Sequence, residues 1–396
     1  MVRDSEYDLV IYGASGFTGR LVSEYVAAKY GNSIKWGLAG RDLKRLASVR
    51  DEIRAPADTP LIHADSDNAA SLQELAGRTR AVISTAGPFQ LYGSKLVAAC
   101  ARSGTDYLDI SGETLWMRDM IDAHEQDARS SGARIIFSCG FDSVPFELGV
   151  LFLQNTAKKI WGETAPRVKG RVRVIKGTSS GGTVATSRAT IAAAANDPNV
   201  VTKLKDPFLL TPGFKGPKQP HGMKIEFDQE LGVWAAPFIM SMINTRNIHR
   251  SNALMGHPYG TDFIYEEMMI AGPGSDGEIE AKRIVEENSS FGGKNSPKAG
   301  EGPSKSERES GCYDILFLGR SNDNRTVSIV VRGDKDPGYG STSKMVTECA
   351  VCLLQDATDV PAGIWTPGAA MREKLFARLI KNAGLTFDIE HVDGPG

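Results

Sequence analysis

The chain alternates short apolar runs with segments whose apolar residues recur at helical spacing. Asp8–Tyr12 is a buried-strand pattern, followed at once by Gly13-Ala14-Ser15-Gly16-Phe17-Thr18-Gly19 and then by Arg20–Val26 with helical periodicity. The same alternation continues. Strands are predicted at Ile34–Ala39, Leu61–Ala64, Ala81–Ser84, Asp106–Ile110 and Arg134–Ser138, with helices at Asn68–Ala76, Ser94–Ser103 and Met117–Ser130 between them. Strands separated by helices imply a parallel, doubly wound α/β sheet.

Beyond the helix that begins near Ser143 the pattern changes. Lys169–Gly177 and Tyr259–Ile270 read as strands, and Tyr313–Gly319 with Thr326–Arg332 as a hairpin. Thr183–Asn196 and Ser343–Leu354 read as helices. The predicted organisation is an N-terminal Rossmann domain over residues 1–145 and a C-terminal α+β substrate domain over 146–396. The Ser343–Leu354 helix is expected to pack back onto the first domain. The polar stretch at 289–310 is read as a mobile surface loop.

Strand, glycine turn and helix together form the context of a dinucleotide-binding fingerprint. Gly13 permits the tight turn, Gly16 lets bare backbone approach a pyrophosphate, and Gly19 lets the helix pack on the sheet. Ser15, Phe17 and Thr18 complete a loop whose N–H groups face the phosphates. The second strand ends in Gly40-Arg41 rather than in the carboxylate that accepts from a ribose 2′-hydroxyl. Arg41 suits a 2′-phosphate, with Lys44 and Arg45 as auxiliary charges, so NADP(H) is the expected cofactor. Asp42 either faces solvent or caps the next helix. Asp65, at the end of the third strand, is placed near the adenine amine. Thr85, Ala86, Gly87 and Pro88 follow the fourth strand, where open α/β sheets bind ligands, and are assigned to the nicotinamide side.

Length and composition change little. With 396 residues two domains are expected, and 41% apolar and 24% charged residues describe a globular chain. A net charge of −2 leaves no basic footprint for nucleic acid. No run approaches the ~18 apolar residues of a spanning helix, and no secretory signal pattern is present, so the expected location is cytoplasmic. Five cysteines, mostly inside apolar runs, fit free thiols. Cys349 and Cys352 form a lone CxxC with no second pair to complete a metal site, and no metal is expected.

The strings GASGFTGR, LAGR, STAGPFQLYG, TDYLDISGE and CGFDSVPFELG, then SGGTVATS, YGTDFIYEE, PKAGEGPSKSERESG, DPGYGSTSKM and GIWTP, span nearly the whole chain. In this order they resemble the saccharopine dehydrogenase-like oxidoreductases, on the branch that holds trans-acting enoyl reductases. The resemblance implies a Rossmann fold, NADP(H), a C-terminal α+β domain and reduction of a carbon–carbon double bond on a polyketide or acyl intermediate. It does not imply saccharopine as substrate. The segment from Gly272 to Asn288 is polar where relatives carry a more apolar insert, which speaks against lipid-surface attachment there.

Hydride transfer needs a positioned nicotinamide, and double-bond reduction also needs a proton source. Tyr92, Asp142 and Tyr259 are the catalytic candidates, with Ser143 and His257 beside them. The alternatives stay open: Tyr92 as a packing aromatic, Asp142 as the cap of the helix from Ser143, and His257 as a turn residue. Ser180-Gly181-Gly182-Thr183 is either a substrate loop or a tight turn. The expected partner is a small-molecule or carrier-bound acyl substrate, and homo-oligomer formation is left open. Two other functions remain in view. Imine chemistry of the saccharopine type would need carboxylate clamps from residues such as Arg171, Arg173, Arg188 and Arg246. The other is an NADP(H)-sensing protein without turnover.

Overall fold

The computed structural model describes residues 5–31, 33–178, 180–290, 297–298 and 300–394. Six strands of the first sheet alternate with helices along the chain. These are β1 (Tyr7–Tyr12), α1 (Phe17–Lys29), β2 (Trp36–Gly40), α2 (Leu43–Glu52), β3 (Leu61–His63), α3 (Ala69–Arg78), β4 (Thr79–Ser84), α4 (Phe89–Tyr92), α5 (Ser94–Ser103), β5 (Asp106–Asp109), α6 (Thr114–Ser131) and β6 (Arg134–Ile136). All pair in parallel, and the central strands are apolar on both faces, with Leu9, Val10 and Ile11 wholly enclosed.

Next come α7 (Val144–Trp161), β7 (Arg167–Lys176), α8 (Gly181–Asn196), α9 (Pro198–Lys205), β8 (Glu226–Asp228), β9 (Val233–Pro237), α10 (Ser241–Leu254), β10 (Ile264–Gly272), α11 (Gly274–Ser290) and α12 (Lys305–Ser310). The chain ends with β11 (Cys312–Arg320), β12 (Thr326–Gly333), α13 (Thr342–Gln355), β13 (Gly363–Trp365), α14 (Pro367–Arg378) and β14 (Leu385–Val392).

The first sheet runs β13-β6-β5-β4-β1-β2-β3, so the strand order reverses between β1 and β4. That switch point opens a crevice at the strands' carboxyl ends. The seventh strand comes from far along the chain: Gly363–Trp365 pairs in parallel with Arg134–Ile136. Helix α13 packs on α1 as expected, where Glu348 accepts from Tyr25 Oη (2.8 Å) and Tyr30 Oη (2.5 Å).

The second sheet runs β14-β12-β11-β7-β10-β9-β8. The β11–β12 hairpin forms as predicted, but β10 lies parallel to β7 in an otherwise antiparallel sheet. The strand expected from Tyr259 starts at Ile264 instead. Asn252 accepts from Tyr259 N and donates to Gly260 O (3.0 and 2.9 Å), and Gly260 has φ +94°, so this stretch is a turn. His257, at φ +61°, belongs to the same turn and lies on the Phe214 ring at 4.5 Å.

Of the 289–310 loop, residues 291–296 and 299 lie outside the described residues. The remainder includes α12, capped by Ser304 in a reciprocal bond with Glu307. Cys349 and Cys352 are free, buried thiols. Among the described residues no helix is long and apolar enough to cross a membrane, and no group of three ligating side chains could hold a metal.

Candidate functional site

The glycine loop leaves β1 through Gly13, at φ +81°. A Cβ at Gly13 would stand 3.0 Å from Thr85 Oγ1, and one at Gly19 would run into the Gly13 carbonyl. Those two glycines therefore close the loop against the turn after β4. Thr85 locks the closure by donating from N (3.0 Å) and Oγ1 (3.1 Å) to Tyr12 O.

Gly16 is different. It is exposed, it caps α1 without any side-chain bond, and the first turn of α1 carries no acidic residue. The leading N–H groups of α1 have no intrahelical acceptor, and among the described residues no side chain caps them at Gly16. This is the bare, positive helix end that a pyrophosphate requires, so the residues present fit a dinucleotide.

At the far end, Arg41 is exposed just past β2. Asp42 is occupied as the cap of α2, accepting from Lys44 N and Arg45 N at 3.0 Å, rather than facing solvent. Asp65 and Arg41 both act on the Tyr12 hydroxyl, which burial pushes up to about 12. Asp65 Oδ1 accepts from Asp67 N at 3.0 Å.

The turn Thr85-Ala86-Gly87-Pro88 is set by a residue the sequence reading left without a role. Glu113, just past β5, accepts from Phe89 N and Gln90 N at 2.7 Å each and from Thr186 Oγ1 at 3.3 Å. One carboxyl thus fixes the turn after β4 and ties α8 to it. The only available signal was its position after a strand's carboxyl end.

The resemblance motifs converge on the same loop. Phe17 meets Tyr339 edge-on at 5.2 Å, has Arg308 over its ring, and fills the space beside Gly302. Tyr339 in turn shares a bond with Thr183 Oγ1 (2.8 Å) and takes the Ser180 N–H. Ser180–Thr183 is therefore tied to the cofactor loop through Tyr339.

The catalytic candidates are dispersed. Tyr92 ends α4 at 41% exposure. Tyr259 is 3% exposed, packs on Phe263 at 5.3 Å, and feels the charges of Glu147, Arg372 and Glu373 rather than those of Asp142 or Glu267. It is a core residue, which corrects its expected placement at the site.

Asp142 is not the cap of α7, because Ser143 holds that position and donates instead to Glu147 Oε1 at 2.5 Å. Asp142 Oδ1 is sealed from solvent with no hydrogen-bond partner, and burial raises the carboxyl to about 7. The end of β5 is close by, where Gly112 leaves room for Ile243 of α10: a Cβ at Gly112 would sit 2.6 Å from its Cδ1. The next residue, Asn244, donates to Glu267 of β10 at 2.7 Å. Glu267 is thus a buried carboxyl of the second sheet, and periodicity alone did not point to it.

Residues 9–136 match the family described as the saccharopine dehydrogenase NADP binding domain. A Mycobacterium tuberculosis relative, whose name assigns it provisionally to the trans-acting enoyl reductases, is 37% identical over 94% of this chain and 95% of its own length. The trans-acting enoyl reductase of Mycobacterium ulcerans is 34% identical over 94% of this chain and 96% of its own. Among solved structures, apo histidine-tagged saccharopine dehydrogenase (L-Glu forming) from Saccharomyces cerevisiae superposes with a TM-score of 0.55. It is 12% identical, and the match covers 96% of this chain and 99% of that one, a likeness of fold. The cofactor is NADP(H). The chain belongs to the saccharopine dehydrogenase-like oxidoreductases, in their trans-acting enoyl reductase branch, and is an NADP-dependent oxidoreductase.

Proposed function

We propose that the chain reduces the carbon–carbon double bond of an α,β-unsaturated acyl or polyketide intermediate, presented as a thioester. The observation that carries this reading is similarity over nearly the full length to enzymes named for that activity. Gly13–Gly19 hold the pyrophosphate, Arg41 the 2′-phosphate, and Thr85–Pro88 the nicotinamide end. Bound NADPH supplies the hydride. The chain itself must supply a proton at the adjacent carbon, and Asp142, half-neutral near pH 7, is the group assigned to it. Tyr92 lies at the exposed rim, where it lines substrate entry. Residues 1–145 serve the cofactor, and 146–396 shape the substrate side.

Saccharopine-type chemistry is less well supported. Two of the arginines it would use are spent internally, Arg171 on Asp228 and Glu266, and Arg173 on Asp314 and Glu390.

The test is NADPH oxidation followed by absorbance over a panel of α,β-unsaturated thioesters. Turnover with the enoyl thioesters is expected. A folded, NADPH-binding protein that reduces none of them overturns the reading. In Arg41→Ala the preference for NADPH over NADH is expected to fall about 10- to 100-fold, the worth of one charge-assisted guanidinium–phosphate pair. Calorimetry with both nucleotides checks this, and NADH affinity should not change.

A further inference from the structure

Toward its C-terminus helix α10 carries a buried charge without a counter-ion. Arg250 is 5% exposed, and its guanidinium donates from Nη1 to Leu210 O (2.6 Å) and from Nη2 to Ile364 O (2.7 Å). Both acceptors are neutral carbonyls. The Nε–H is enclosed and has no acceptor among the described residues. A guanidinium has five N–H donors, so most of its hydrogen-bonding capacity is open. The acids whose charge reaches Arg250 are Asp122 and Glu125 of α6. They are already paired with Arg118 (2.7 Å) and Arg129 (2.6 Å) of the same helix. Burial draws Arg250 down to about 10, which leaves it a cation at neutral pH. A buried cation is costly unless an anion pairs with it.

Arg250 stands on the wall of a cavity of about 370 Å³, whose other walls include Pro212, Phe214, Ala253, Leu254 and His257. That is the size of a small-molecule site. One wall is fixed by its own bonds. Arg118 donates to Leu209 O (2.8 Å), Thr211 Oγ1 to Phe208 O (2.7 Å) and Phe214 N to Thr211 O (3.1 Å). His257 Nδ1 is also enclosed and unpartnered, and its ring lies on Phe214. Two unpaired nitrogen atoms therefore belong to the walls of one largely apolar cavity. None of these walls is among the residues assigned to the cofactor.

We propose that this cavity is a second ligand site, built for a small organic carboxylate. The carboxylate takes open N–H groups of Arg250 in charge-assisted bonds. His257, in the tautomer that carries its proton on Nδ1, supplies a further donor. The hydrocarbon part of the ligand lies against Pro212, Phe214 and Leu254. One guanidinium balances one negative charge, and its planar fork matches a planar acceptor, so a monocarboxylate suits the site better than a phosphate dianion. Arg250 also holds Leu210 and, through Ile364, strand β13, so an occupied site braces α10 against the first sheet. No bond is made or broken here, and the proposal does not depend on the enoyl-reduction reading.

The test is calorimetry on the full chain saturated with NADPH, with hexanoate as the probe and hexanamide and inorganic phosphate as controls. Hexanoate is expected to bind once per chain. Hexanamide keeps the shape without the charge and should bind at least ~10-fold more weakly, as should phosphate. Two variants tie the binding to this cavity. Arg250→Gln removes the charge and should weaken hexanoate at least ~10-fold. Ala253→Phe leaves Arg250 and its two carbonyl bonds in place but fills the cavity, and should abolish hexanoate binding with NADPH affinity unchanged. A thermal melt beside each variant shows that it is folded, and Ala253→Phe decides the matter if Arg250→Gln is not. No heat with hexanoate overturns the site, and so does hexanamide binding as tightly. Phosphate binding as tightly as hexanoate overturns the carboxylate assignment. Hexanoate held in the substrate crevice would survive Ala253→Phe, and that result also overturns the proposal.

Discussion

Gly16→Val is expected to abolish NADPH binding while leaving the fold intact. Gly16 has φ −79° and ψ 168°, extended backbone open to any residue, and a Cβ there would meet only the Gly13 carbonyl, at 3.2 Å. The cost to folding is therefore small, about 1 kcal/mol for a branched residue at a helix cap. The cost to binding is large. The isopropyl group would stand over the free N–H groups of α1, where phosphate oxygens must come within hydrogen-bond distance. Losing that contact should weaken binding at least ~100-fold, or about 2.7 kcal/mol. Gly19 cannot separate the two effects, since any side chain there collides with the loop itself. Fluorescence titration with NADPH, beside a thermal melt, checks the prediction. Normal affinity in Gly16→Val would remove the pyrophosphate from this loop.

Six of the seven strands of the first sheet were legible because each carries its own local signal. Ser94–Ser103 was read with its observed boundaries, and the strand–glycine–helix order located the cofactor end. What was hidden depends on contacts distant in sequence. Gly363–Trp365 is only three residues long, too short for any periodicity, and becomes a strand only because Arg134–Ile136 offers it an edge. Tyr259 looked like a strand residue because the bonds from Asn252 that turn the chain are invisible in a pattern of polarity. No helix was predicted over Ser241–Leu254, and nothing local says that Asn244 and Asn247 are enclosed. Glu267 sits beside Glu266, and strand alternation sends them to opposite faces. Without the fold, the buried one could not be told from its neighbour.

Stability is expected to fall as pH rises from about 4.5 to about 8, and Glu267→Gln should flatten that fall. In the unfolded chain Glu267 ionises near 4.5, whereas in the fold it holds its proton to about 8. Between those values unfolding releases a proton, so each pH unit costs about 1.4 kcal/mol of stability. The contribution is complete below the unfolded value and lost by the folded one. Asp142, moving from 3.8 to about 7, acts with the same sign over an overlapping window. Together they amount to several kcal/mol, a large share of the roughly 5–15 kcal/mol that holds an ordinary domain folded. Carboxylates held low, such as Glu6 and Asp323 beside their arginines, act with the opposite sign and only at the acid end. A glutamine at 267 cannot ionise, and it still satisfies both neighbours, its oxygen taking the Asn244 amide and its NH2 donating to Tyr265 Oη. Urea unfolding at a series of pH values should show the Glu267→Gln curve shallower than wild type by about 1 kcal/mol per unit across this window. Parallel curves would mean that Glu267 ionises in the ordinary range. It could then not hold a proton at neutral pH.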